Sequence, residues 1–197
     1  MPIITCVYPA TGGLDMNKML LLVIVVVVGA VAIFLNANRR VQGASDTESL
    51  KGQPAPAIAL KTLDGKDLVL ADMKGKVVLI DTWATWCPPC RESLPHVQKV
   101  STDKALADKG LVVWAIDAQE SPADVLKFLQ DNKYTFSVLM DTKGAVLKSY
   151  FISGIPNTII VGRDGIVKDT FVGYGGEKTA QQIDDALAKA LAEPAPK

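Results

Sequence analysis

The stretch VVLIDTWATWCPPC, residues 77–90, limits what this chain can fold into more than any other. Its first half is a continuous apolar run rich in β-branched residues, the pattern of a strand covered on both faces. Its second half places Cys87 and Cys90 two residues apart, with Pro88 and Pro89 between them. Proline fits the first turn of a helix, because amides there have no helical partner. The spacing therefore predicts a strand ending at Trp83, a tight turn, and a helix starting at Pro88 or Pro89. Cys87 falls at the N-terminus of that helix, where the macrodipole and free amides favour an anion. A thiolate is such an anion, and it is the form that attacks disulfides. Cys90 lies one turn later and points into the domain. We expect one exposed nucleophile and one shielded partner that resolves a mixed disulfide. Pro88 and Pro89 lack N–H groups, so only donors from Cys90 onward can reach the Cys87 sulfur.

Other uses of the two cysteines fit less well. The chain has three cysteines, Cys6, Cys87 and Cys90, and a single histidine, His96. A zinc site would need further ligands at suitable spacing, so no metal is expected, and no other cofactor is implied. A purely structural disulfide over so short a span removes little unfolded-state entropy. His96 reads as a surface residue of the helix. Basic and acidic residues balance at 21 each, which argues against nucleic acid as a partner.

Residues 19–35, MLLLVIVVVVGAVAIFL, run 17 residues without a charge. As a helix they would reach roughly 26 Å, enough for a thin hydrocarbon core. A secretory signal peptide is the rival reading, but NANRRVQGAS follows and offers a poor cleavage pattern. We read an uncleaved single-pass transmembrane anchor. Lys18 precedes it and Arg39 and Arg40 follow, so the positive-inside rule would keep the remainder in the cytoplasm. Disulfide chemistry argues for the other side of the cell membrane, and we expect the domain to be extracytoplasmic. Residues 1–18 form a short N-terminal segment in which Met16 is a second candidate start and Cys6 has no role. Residues 36–56 read as a polar linker.

From residue 57 to 192 the pattern is globular. Short strands are expected around an Asp64–Gly65 turn. LVVWAID predicts a second buried strand, and the helix from Pro88 runs to about Lys109. Ser121 and Pro122 open a helix through Asn132, FSVLMD is a short strand, and Ala145 to Phe151 a short helix. A hairpin turns at residues 163–165, and an amphipathic helix covers 177–192, with 193–197 as a tail. Strands alternating with helices, then a closing hairpin and helix, predict a three-layer α/β sandwich.

WATWCPPC resembles the active-site segment of the thioredoxin superfamily, and GQPAPAIALKTLDGKDLVLADMKGKVVLIDTWATWCPPCRESLP resembles its membrane-anchored TlpA-like branch, including cytochrome c biogenesis members. The resemblance covers about residues 52–191, and Pro95 matches a helix-kinking proline of the family. It implies a thioredoxin-like sandwich with a central mixed sheet and a redox-active Cys87–Cys90 disulfide. Ile155–Pro156, in SGIPNT, matches the cis-proline loop beside the dithiol. That loop, with Trp86, Pro88 and Pro89, would bind substrate, and Trp83 and Trp86 would wall the site. Asp81 stands six residues before Cys87 in an apolar strand, as the buried proton-relaying aspartate of thioredoxins does. Many TlpA-like members lack an acid there, and the other reading is a strand-end aspartate facing solvent. Glu120 matches a glutamate some anchored members place near the dithiol; a solvated residue before the Ser121 cap is the alternative.

The resemblance implies a thiol–disulfide oxidoreductase acting mostly as a reductant. Its substrates would be protein disulfides, such as those of apocytochrome c, and a thiol–disulfide partner in the membrane would supply electrons. Peroxiredoxins share the leading segment but resemble a T-x-x-C site, whereas a tryptophan precedes Cys87 here. Copper-delivery members resemble a C-x-x-x-C with a downstream histidine, which this chain lacks. A non-catalytic chaperone or docking module is the remaining alternative.

Overall fold

The computed structural model describes residues 24–27, 29 and 47–196. Two compact units divide the chain, residues 1–44 and 45–197. In the first, Ile24 to Val27 and Gly29 are helical. The rest of the expected anchor, residues 1–18 and most of the linker lie outside the described residues. Among the described residues no helix is long and apolar enough to cross a membrane.

The second unit is built on a seven-stranded mixed sheet of order β2-β1-β5-β4-β3-β6-β7. Its strands are β1 (Ala59–Thr62), β2 (Asp67–Val69), β3 (Val77–Trp83), β4 (Leu111–Asp117), β5 (Val138–Met140), β6 (Asn157–Val161) and β7 (Val167–Val172). β3, β4 and β5 run parallel, and the other pairings are antiparallel. Every residue of β3 is buried, as a two-sided apolar run requires. The helices are α1 (Pro88–Thr102), α2 (Lys104–Asp108), α3 (Pro122–Asn132), α4 (Ala145–Ser149) and α5 (Glu177–Ala192). Leu94 and Val97 of α1 pack with Val125 and Leu129 of α3 on one face, where Leu79 also meets Ile183 and Leu187 of α5. On the other face Val78, Ile80 and Ile116 pack with Val146 of α4, Tyr150 and Leu50. The three layers are those expected.

Three boundaries differ from the sequence reading. The helix expected over 88–109 is two: Asp103 adopts an extended backbone and its carboxylate accepts from Ala105 N and Leu106 N, capping α2. The linker expected to reach residue 56 ends sooner. Thr47–Leu50 form a 3-10 turn with Thr47 and Leu50 buried, and Gly52 N and Ala55 N donate to Val167 O and Gly165 O. The tail is partly fastened, because Arg163 Nε donates to Glu193 O.

Candidate active site

The turn after β3 closes when Cys87 N donates to Ala84 O at 3.2 Å. Cys87 caps α1 in an extended conformation, with the two prolines in the first helical positions. Cys87 and Cys90 form a disulfide with their Cα atoms 5.2 Å apart. Cys90 N donates to Cys87 Sγ at 3.2 Å. With prolines at 88 and 89, this is the first amide the helix can offer the sulfur. The nucleophile expected to be exposed is covered in this oxidised state: Cys87 is 3% exposed and Cys90 0%. Each sulfur shields the other, and Ile155 O lies 3.6 Å from Cys87 Sγ. That approach is a contact, because a disulfide sulfur has no proton to donate. Cys87 still lines an open pocket of about 450 Å³, together with Trp86, Pro88, Pro89, Ile152 and Ile155, whereas Cys90 does not.

The loop facing the disulfide carries a cis bond between Ile155 and Pro156. Gly173 N donates to Pro156 O at 2.8 Å, and Thr82 Oγ1 donates to Asn157 O at 3.2 Å, so the loop is tied to β7 and β3. Among the described residues no backbone hydrogen bond takes either main-chain group of Ile155. Both therefore remain available for an extended segment lying across the disulfide. Trp86 is exposed beside the pocket. Trp83, expected as a second wall, is instead fully buried, packed edge-on against Phe136 with ring centroids 6.0 Å apart. It shares the face of β3 that carries Leu79, and faces inward for that reason.

Asp81 lies between Leu79 and Trp83 on that inward face, beneath α1 and α5. It is fully buried and does not face solvent. Thr158 Oγ1, its registered neighbour on β6, donates to Asp81 Oδ1 at 2.8 Å, and Oδ2 has no partner among the described residues. Burial pushes the Asp81 carboxyl up to about 7, and the Thr158 bond opposes part of the rise. Glu120 is not a free residue before a cap. Thr85 N donates to its Oε2 at 2.6 Å and Thr85 Oγ1 to its Oε1 at 2.5 Å. Arg91 Nε donates to Thr85 O at 2.6 Å, so Thr85, two residues before Cys87, is held from both sides. Asp117 ends β4 in register with Trp83, and its Oδ1 accepts from Glu120 N at 2.9 Å. Its carboxyl is also raised, by burial first and then by the carboxylates of Glu120 and Asp141.

The model of the family described as Redoxin matches residues 50–187. The chain belongs to the redoxin family. Thioredoxin-like protein YneN of Bacillus subtilis (strain 168) is 39% identical over 135 residues, 67% of this chain and 77% of its own length. Sporulation thiol-disulfide oxidoreductase A of the same organism is 30% identical over 173 residues, 86% of this chain and 97% of its own. A thiol:disulfide interchange protein of Chlorobium tepidum TLS has a crystal structure with TM-score 0.61 and 28% identity, over 72% of this chain and 98% of that one. The fold is thioredoxin-like, and the disulfide at C-x-x-C makes this redoxin a thiol–disulfide oxidoreductase.

In this redoxin Cys87, Trp86, Pro88, Pro89 and Ile155 line one pocket, with Cys90 joined to it through the disulfide and Pro156 through the cis bond. Asp81 lies on β3 before the turn, and Glu120 accepts two hydrogen bonds from Thr85 within it. His96 stands apart. Rather than a surface residue, it is largely covered, with Nε2 2.9 Å from Asp184 Oδ1, joining α1 to α5. Among the described residues no group of three or more His, Cys, Asp or Glu is placed to hold a metal. Thr85, Arg91, Asp117 and Thr158 escaped the sequence reading. Asp117 carried a usable signal, since LVVWAID ends a buried run with an acid much as VVLID does.

Proposed function

We propose that this redoxin reduces protein disulfides outside the cytoplasm, tethered by residues 19–35 and re-reduced by a thiol–disulfide partner in the membrane. The client is a polypeptide bearing a closely spaced cystine, apocytochrome c being the one the cytochrome c biogenesis resemblance suggests. Cys87 thiolate attacks the client disulfide and one client sulfur leaves as a thiolate. Cys90 then attacks the Cys87 sulfur and releases the second. The client gains two electrons, and Cys87–Cys90 closes to the disulfide seen here. Asp81, with a carboxyl near 7, accepts the Cys90 proton during resolution. The client segment pairs with Ile155 and rests on Trp86, Pro88 and Pro89. Glu120 holds the turn.

The observation that supports the reducing direction is the Cys90 amide, 3.2 Å from Cys87 Sγ and the one donor to it among the described residues. Few donors stabilise the thiolate little, and a less favoured reduced form is the mark of a reductant. The test is trapping in cells with Cys90→Ser, where attack proceeds and resolution cannot. The expected catch is extracytoplasmic proteins with paired cysteines, and none with Cys87→Ser. Equal trapping by both variants, or a catch of cytoplasmic proteins alone, would overturn the reading. A docking module would bind clients equally well with both cysteines replaced by serine.

A further inference from the structure

Glu120 spends both carboxylate oxygens on Thr85, one on its amide and one on its hydroxyl. An ionised carboxylate is acceptor-only and can serve two donors at once. Yet a second carboxyl touches the same loop. Asp117 accepts the Glu120 amide on Oδ1, is fully buried, and leaves Oδ2 without a partner. Burial first, and the neighbouring Glu120 carboxyl with it, raise the Asp117 carboxyl above its ordinary range. We propose that Asp117 is a positioning residue of the redox site: it holds a proton beside Glu120, which leaves Glu120 a double acceptor fastening Thr85 and the turn that presents Cys87.

The groups around Asp117 set how readily it takes a charge. Glu120 is half-buried and compensated by two donors, whereas Asp117 is sealed. From the turn after β5, Asp141 adds a third carboxylate, whose own oxygens accept from the amides of Ala145, Val146 and Leu147. From α1, the Arg91 guanidinium is engaged with Thr85 O and lies 5.4 Å from the Phe128 ring centroid. From α3, Asp124, Lys127 and Asp131 stand around the outer rim with Glu120. Burial and the two neighbouring carboxylates disfavour charge on Asp117, and the Glu120 amide that donates to Oδ1 opposes them in part. When it does ionise, as pH rises, two negative charges meet behind Thr85 and the clamp on the turn weakens.

The proposal rests on Cys87 being the reacting cysteine, but its first readout does not depend on any client. In the full chain in detergent, the Thr85 amide resonance is followed against pH by NMR. It should show a step near or above neutrality that Asp117→Asn removes. Glu120→Gln keeps the buried acid, takes away the second acceptor, and should remove the step as well. The second readout is alkylation of reduced Cys87. Asp117→Asn should match the wild type in mildly acidic solution, where position 117 is uncharged in both. Above neutrality it should react roughly twofold faster, because the clamp on Thr85 stays intact and the turn keeps presenting Cys87. A Thr85 step that persists in either variant, or superimposable alkylation profiles, would overturn the proposal. Failure of client trapping alone would count against the reductase reading and leave the Thr85 result standing.

Discussion

At one end of the sheet the Arg163 guanidinium donates to four main-chain carbonyls, those of Gly75 at 2.7 Å, Lys109 at 2.6 Å, Leu191 at 3.2 Å and Glu193 at 3.1 Å. These lie just before β3, just before β4 and at the close of α5. One side chain thus satisfies the chain where it enters the two central strands and leaves the last helix. At the other end of the same strands, Asp81 Oδ2, Trp83 Nε1, Asp117 Oδ2 and Asn157 Oδ1 are buried without a partner. Among the described residues three non-glycines have positive φ: Gln119 and Phe151 stand in the loops there, beside the pocket that Cys87 lines, and Lys133 caps α3. Unsatisfied buried groups and left-handed non-glycine residues each cost stability. Their concentration at the dithiol end, opposite a fully engaged arginine, shows where the fold is anchored and where it is held ready for chemistry.

The largest test of this contrast is Asp81→Asn. The native carboxyl titrates near 7 against an ordinary value of 3.8, so between these values the folded chain holds a proton the unfolded chain has released. Wild-type stability should therefore fall as pH rises from about 4 to about 7 and stay low above, by up to about 4 kcal/mol from this group alone. In the variant this part of the slope should vanish, leaving it relatively more stable at pH 8 than at pH 4, while resolution of mixed disulfides slows. Urea melts across that range check the first point; an unchanged slope would break the contrast.

Arg163→Ala should act in the opposite sense. Losing the guanidinium should cost roughly 3 kcal/mol by urea denaturation, through carbonyls left without donors. The Cys87–Cys90 potential against glutathione should not move. A shifted potential would mean that the two ends are coupled more tightly than their separate hydrogen bonds imply.

Pro88→Ala has the smallest expected effect and sharpens the description of the dithiol end. Residue 88 regains an amide in the first turn, which should lower the Cys87 pKa and raise the potential. A change of one pKa unit corresponds to about 1.4 kcal/mol, or about 30 mV for this two-electron couple. A potential that is unchanged or falls would reduce the prolines to stiffeners of the turn.

Much of the anchored framework could be read from local pattern. The β3 run, the Pro88 start of α1, the Ser121–Pro122 start of α3 and the hairpin at 163–165 each announce themselves within a few residues. The break at Asp103 did not, because the apolar spacing continues through Ala105 and Leu106 and only the cap interrupts it. The site was legible at its cysteines and its Ile-Pro loop. Its supports were not, since Thr85 and Glu120 are 35 residues apart and Asp81 and Thr158 are 77 apart. Those pairings follow from strand register and crossover geometry, which no local window contains. The same holds for Thr47, whose hydroxyl accepts from Asn157 Nδ2 across 110 residues and draws the supposed linker into the fold.

The distance along the chain between Cys87 and its cover also has a consequence during synthesis. Ile155, which lies against the Cys87 sulfur, is made 68 residues later. At roughly 5 to 20 residues per second, the cysteines emerge about 3 to 14 seconds before the loop that shelters them exists. For that interval the nascent chain exposes a dithiol with neither its lid nor most of its sheet. In an oxidising compartment it can be captured by other thiols before folding hides it. Oxidation within the pair, one helical turn apart, needs none of the missing segment and can protect the chain until the loop arrives.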